Sequence, residues 1–296
     1  MTGHVQTSLE KTGPRPPVLS ECKSDTTDDN KHELATAGRA RTTLLCSAAP
    51  SSRIVNGADS VANRWPWQLS LQYDSGSGYR HICGASLISE SYAITAAHCI
   101  DHDLSGNYRV VAGEHDLSTE SGNEQRIEIT DRLKHQDYNG DTGGFPNDIA
   151  VLKFASKASL NEQVQPVTLP SSTSTSHYAD KTCYITGWGL LNGGDASVPD
   201  ILQEAKTNVL STSSCRSKFS IFIRNYVKEA IHICVHTGDN GACNGDSGGP
   251  LVCEVNGQWE LAGATSWGMN GCPTNTPSVY VRVSNYLTWI KEKTAL

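Results

Sequence analysis

Twelve stretches of the chain carry an apolar or alternating pattern of strand length, each bounded by turn residues. Six of them fall at residues 65–73, 81–88, 92–97, 108–113, 125–135 and 149–154. A segment with proline at both ends, 166–170, precedes six more at 181–188, 201–210, 231–235, 250–255, 259–267 and 278–283. Turn signals such as Asn192-Gly193 and Asn256-Gly257 lie between strands. Many short strands at regular spacing predict an all-β fold of barrels or sandwiches, here in two halves of similar rhythm. Residues 286–296, with Trp289, Ile290 and lysines near the end, predict a C-terminal helix packed on the β-structure. Residues 1–53 read differently. They are rich in Thr, Ser, Asp and Lys, contain a rigid run from Pro14 to Pro17, and show no sustained apolar periodicity. Such a segment cannot bury enough surface to offset its ordering entropy, so a largely disordered leader is predicted.

Candidate chemistry concentrates in residues 241–251, GACNGDSGGPL. Four glycines (Gly241, Gly245, Gly248, Gly249) crowd around Asp246 and Ser247, and glycine at this density serves positive φ angles or close main-chain approach. One reading is a solvated turn that contains a serine. The other is a nucleophile loop in which Ser247 attacks a carbonyl while the N–H groups of Gly245 and Ser247 meet the developing oxyanion. A nucleophilic serine needs a base and an orienting acid. His98 in AITAAHC follows an apolar run, and Asp148 in NDIAVLKF stands at the mouth of a stretch expected to be a buried strand. Each alone is an ordinary residue; the three together are far more specific.

TAAHC, NDIAVL and GDSGGPL, in that order, resemble the chymotrypsin/trypsin family of serine endopeptidases from Ile54 to Leu296. The resemblance implies two six-stranded antiparallel β-barrels with a C-terminal α-helix, roughly 54–165 and 166–296, after a leader or propeptide at 1–53. The active site would lie in the cleft between the barrels. It implies Ser247 as nucleophile, His98 as general base and acid, and Asp148 as the group that holds the imidazole. Ser266, in TSWG, matches the family serine that supports this aspartate.

Composition narrows the picture. The chain has 296 residues, 37% hydrophobic and 19% charged, enough to bury two modest cores or one large one. A net charge of −7 gives no footprint for nucleic acid. No apolar run reaches the length of a membrane-spanning helix. Ten cysteines without a metal-type C-x-x-C pair suggest disulfides and an oxidising, extracellular compartment. A secretory signal is not clearly present: Arg39 and Arg41 before TTLLCSAA come nearest, with a short, interrupted apolar core. The resemblance implies the pairs Cys83–Cys99, Cys183–Cys253, Cys215–Cys234 and Cys243–Cys272. Cys22 and Cys46 are left to pair with each other or to stay free, since Thr168 occupies the place of the family's partner for a propeptide cysteine.

The same resemblance implies a zymogen. Cleavage after Arg53 by a trypsin-like protease would free the Ile54 ammonium to pair with Asp246, and each buried charge would need the other. The substrate pocket would have Gly241 as its floor, with Ala242, Asn244, Ser266, Trp267, Gly268 and Ser278 around it. Without a carboxylate at Gly241, Gly268 or Ser278, a basic side chain would be buried unpaired. Medium to large apolar residues (Leu, Met, Phe, Tyr) are therefore expected on the acyl side of the cut bond. Ala242, Asn244 and Ser278 resemble the chymotrypsin-like elastase branch. No cofactor is required for this chemistry. A loop at 114–124 resembles the calcium loop of trypsins, with Glu114 and Glu124 matching ligands and Ser121 where a third carboxylate usually stands; a solvated acidic loop is the alternative. Partners would be protein or peptide substrates, the activating protease and protein inhibitors, with the chain a monomer. A non-catalytic binding protein is the competing class, but such members usually lose a triad residue or the glycine loop.

Overall fold

A computed structural model describes residues 57–101 and 107–296. The predicted leader at 1–53, Cys22, Cys46, Arg53 and Ile54 lie outside the described residues. The first half builds a closed barrel from β2 (Gln68–Asp74), β3 (Tyr79–Ser89), β4 (Tyr92–Thr95), β5 (Asn107–Ala112), β6 (Gln125–Lys134) and β7 (Ala150–Phe154), joined in the order β2-β3-β4-β7-β6-β5. All its pairings are antiparallel. Strand β2 shows how alternation works when both faces are covered. Leu69, Leu71 and Tyr73 belong to the apolar core, while the alternate Gln68, Ser70 and Gln72 are buried as well. That polar face meets the second half, where Thr186 donates to Gln68 Oε1 at 2.6 Å.

The second half departs from a closed six-stranded ladder. Its strands are β8 (Cys183–Gly187), β9 (Gln203–Thr207), β10 (Val209–Leu210), β11 (His232–Val235), β12 (Pro250–Val255), β13 (Gln258–Trp267) and β14 (Ser278–Arg282). With the short β1 (Ala58–Asp59) they form an eight-stranded sheet in the order β1-β9-β8-β12-β13-β14-β11-β10. The sequence pattern read residues 201–210 as one strand. The structure interrupts it at Asn208, so its first part pairs with β8 and its second with β11. The sheet therefore curls until two consecutive pieces of chain stand at opposite sides of its ladder.

Helix α1 (Thr212–Ser217) had no counterpart in the hydrophobic pattern because it is short and buries only Cys215; its signal is Ser211, whose hydroxyl caps Ser214 N–H at 3.2 Å. Helix α2 (Leu287–Thr294) is the expected C-terminal helix, with Trp289, Ile290 and Thr294 buried. Four disulfides cross the fold: Cys83–Cys99, Cys183–Cys253, Cys215–Cys234 and Cys243–Cys272.

Candidate active site

Antiparallel pairing brings the candidate base and acid together. Thr95 at the end of β4 stands opposite Ala150 at the start of β7. His98 follows on a 3₁₀ turn over Ala97–Ile100, and Asp148 comes just before Ala150, so both fall at the same end of the barrel. The Cys83–Cys99 disulfide ties the turn to β3. Asp148 has no exposed surface. Its Oδ1 accepts the main-chain N–H of His98 at 2.9 Å, and its Oδ2 lies 2.8 Å from His98 Nδ1 and accepts the Ser266 hydroxyl at 2.6 Å. A carboxylate only accepts, so Nδ1 carries the proton and Nε2 is left as the basic nitrogen.

The residues before Asp148 hold unusual backbone. Phe145 and Asn147 have φ of 44° and 59°, a region that residues with side chains seldom occupy. Asn147 is held from both ends of its amide, donating to the Asp137 carbonyl at 2.9 Å and accepting the Tyr286 hydroxyl at 3.0 Å. The Phe145 ring centre stands 6.2 Å from that of His98.

The serine loop needs its glycines. Gly245 has φ +100° and Gly248 φ +73°, and a Cβ on Gly248 would sit 2.1 Å from Thr95 Oγ1. The loop is pressed directly on the first barrel, where Gly84 N–H donates to the Ser247 carbonyl at 2.7 Å. Neither Gly245 N–H nor Ser247 N–H donates a hydrogen bond among the described residues. The Gly245 carbonyl is held 3.1 Å from His81 Nε2, while His81 Nδ1 lies 2.9 Å from Ser70 Oγ. The carbonyl requires the proton on Nε2, which leaves Nδ1 to accept from Ser70. Burial pushes His81 down to about 4, partly countered by its bond to Gly245, so the ring is neutral at physiological pH. Sequence reading gave no role to His81: its partner is 164 residues away and no local pattern marks it.

Asp246 is almost wholly buried and accepts Gly189 N–H at 2.7 Å and Cys243 N–H at 2.9 Å. Burial pushes it up to about 6 against the pull of those two amides. Among the described residues no cation forms a salt bridge with it.

Beside Ser247 opens a cavity of about 300 Å³. Ala242, Asn244, Ser266, Trp267, Gly268 and Ser278 line it, as do Thr265 and Met269, which sequence reading did not single out. No charged residue is among the lining. Gly241 lies next to Ser278, whose hydroxyl a Cβ at 241 would approach to 3.2 Å, and that hydroxyl accepts Ala242 N–H at 3.0 Å. His98 lines a neighbouring cavity of about 410 Å³ with Phe145, and Ser266 lines both. Ser247 Oγ makes no hydrogen bond to His98 among the described residues; such contacts commonly tighten only around substrate.

The acidic loop satisfies one of its two candidate calcium ligands from within. Ser121 donates its N–H and hydroxyl to Glu124 Oε1 at 2.8 and 2.7 Å, and Gly122 N–H donates to Oε2 at 2.9 Å. Burial pushes Glu124 up, but these bonds together outweigh it and hold the carboxyl below its ordinary range. Burial raises Glu114, with some help from Glu124. Calcium takes six to eight oxygens, and here the Glu124 carboxylate already accepts three donors from its own loop. Cys83, His98 and Cys99 also cluster, but both sulfurs are spent in a disulfide.

A family model described as Trypsin matches residues 54–290. The chain is also 40% identical over 243 residues, 80% of its own length and 98% of the relative's, to a fibrinolytic enzyme, isozyme C, of Lumbricus rubellus.

Proposed function

Because the chain belongs to the trypsin family and is a serine endopeptidase, we propose that Ser247, His98 and Asp148 are its catalytic triad and that it cuts peptide bonds after medium to large apolar residues. The observation that carries the triad is the fully buried Asp148 carboxylate on His98 Nδ1, which leaves Nε2 basic. In the proposed cycle Ser247 Oγ attacks the scissile carbonyl as His98 Nε2 takes its proton, and the same proton passes to the departing amine. Water then enters and repeats the exchange on the acyl-enzyme. The unengaged N–H groups of Gly245 and Ser247 support an oxyanion site, because donors already fixed in place need no reorganisation as charge develops.

An uncharged lining supports the preference for Leu, Met, Phe or Tyr over Arg or Lys, in the manner of the chymotrypsin-like elastase branch. The proposal includes synthesis as a zymogen, cleavage after Arg53 and an Ile54 ammonium meeting Asp246, whose burial without a cationic partner among the described residues supports it. Secretion is in keeping with four disulfides.

The test is amidolysis by the purified chain before and after limited trypsin, with the trypsin quenched, on matched peptides ending in Phe, Leu, Ala or Arg. Activity should appear only after the cut at Arg53, rank Phe and Leu above Ala, and vanish in Ser247→Ala. Silence after a verified cut overturns the enzyme's assigned residues, and dominant cleavage after Arg overturns the assigned pocket. Fibrin is a natural macromolecular substrate to include, since the Lumbricus relative is described as fibrinolytic.

A further inference from the structure

Arg282, at the end of β14, is only 4% exposed. Its Nε lies 3.1 Å from the Glu229 carbonyl and 3.2 Å from that of His232, and Nη2 donates to His232 at 2.9 Å. Nη1 is buried and has no hydrogen-bond partner among the described residues. Nor does any carboxylate there form a salt bridge with this guanidinium. Buried donors are nearly always paired, so a hydrogen bond is owed to Nη1, and the guanidinium has only the exposed Glu229 acting on it from a distance and no direct ion pair.

Arg282 lines a cavity of about 350 Å³, far roomier than the ~30 Å³ share of a liquid water. Ser284 is buried with it, while Thr173, Thr175, Asn285 and Thr288 stand exposed around the opening. Hydroxyl and amide donors thus surround a fixed cation, and no acidic residue lines the space. Glu229, the carboxylate whose charge acts on Arg282, is exposed and lines a smaller cavity of about 140 Å³ that shares Arg282 and Thr175 with this one.

We propose that Arg282, Ser284 and the rim formed by Thr173, Thr175, Asn285 and Thr288 make a binding site for a tetrahedral oxyanion, phosphate or sulfate, either free or as an ester on a larger molecule. Guanidinium nitrogens suit such oxygens geometrically, and here the fork is held by main-chain carbonyls before any ligand arrives. The site is separate from the cavity beside Ser247, so its failure would leave the triad assignment intact.

Binding is measured on the full chain by calorimetry with sodium phosphate, sodium sulfate and an O-sulfated glucosamine, against sodium chloride at equal ionic strength. The expected result is saturable binding of an oxyanion, with none for chloride. Binding of inorganic phosphate or sulfate identifies the free ion as sufficient, whereas binding of the ester alone assigns the site to an esterified group. Arg282→Met should abolish binding, but it also removes the bonds to Glu229 and His232. Thr288→Asp keeps those bonds, puts a like charge at the rim on an exposed helical position, and should weaken binding at least tenfold while trypsin-activated amidolysis is unchanged. No saturable binding by any oxyanion overturns the proposal. So does undiminished affinity in Thr288→Asp, or a selenate-soaked crystal with only water at Nη1.

Discussion

Three donors converge on Asp148, and each has a separate consequence. The two from His98 fix the imidazole, while the Ser266 hydroxyl, reaching across from the other half of the molecule, satisfies an oxygen with no access to water. Removing it with Ser266→Ala leaves a buried charged acceptor one donor short, a loss of ~1–3 kcal/mol. That penalty should appear mainly in kcat, about tenfold lower, with a smaller change in KM, because in the proposed triad Asp148 orients the base and does not touch substrate. Ser266→Thr, which keeps the hydroxyl, should recover most of the rate; equal losses in both variants would show that packing was responsible. Ser247, His98 and Asp148 stand out as candidates in the sequence because each sits in a dense local motif. His81 does not. Its significance lies in a bond from one strand of the first barrel to a carbonyl in the serine loop, and nothing near His81 in the sequence announces the other end.

At the scale of elements, strands were readable where apolar alternation was continuous, and β2 to β7 fall close to the stretches the pattern marked. Pairing was harder. The break at Asn208 splits one expected strand between two partners, and in a stretch already carrying Gln203, Glu204, Lys206 and Thr207 one more polar residue gives little warning of that. Strand β13 carries Thr265, Ser266 and Trp267 into the wall of the cavity beside Ser247, and Gly268 follows directly. A Cβ on Gly268 would meet nothing within 4 Å, and its φ is not in the left-handed range, so the fold accommodates a side chain at this position on the cavity lining. Gly268→Val should therefore leave stability nearly unchanged. Cleavage after Phe and Leu should fall at least tenfold relative to Ala, a discrimination of ~1.4 kcal/mol or more. Comparing kcat/KM on the three peptides checks this, and an unchanged ranking would remove Gly268 from the specificity determinants.

Within the described domain, its first strand and its last helix brace opposite halves. Strand β1 joins the second sheet through β9, whereas the C-terminal helix reaches back to the first barrel, with Trp289 Nε1 donating to Gln136 at 3.1 Å and Tyr286 hydroxyl to Asn147 at 3.0 Å. Asp246, in the serine loop, is buried and accepts from Gly189 and Cys243, so its charge state bears on the stability of the domain. Burial has raised its folded-state value from 3.8 to about 6. A raised value means that the carboxyl is protonated in both states and costs nothing below its unfolded value near ~4, and that relative to this low-pH limit ~3 kcal/mol of stability is lost as pH climbs through 6. If the amine freed at Ile54 pairs with Asp246, cleavage should cancel that penalty. Before cleavage, Asp246→Asn should therefore match the parent chain at pH 4 and exceed it at pH 8. After cleavage, the parent should gain stability at pH 8 and become active, while Asp246→Asn gains neither. Urea unfolding midpoints at the two pH values, taken before and after limited trypsin, measure both effects. An equal gain in the two proteins would mean that the cut stabilises the domain by some route other than this carboxylate.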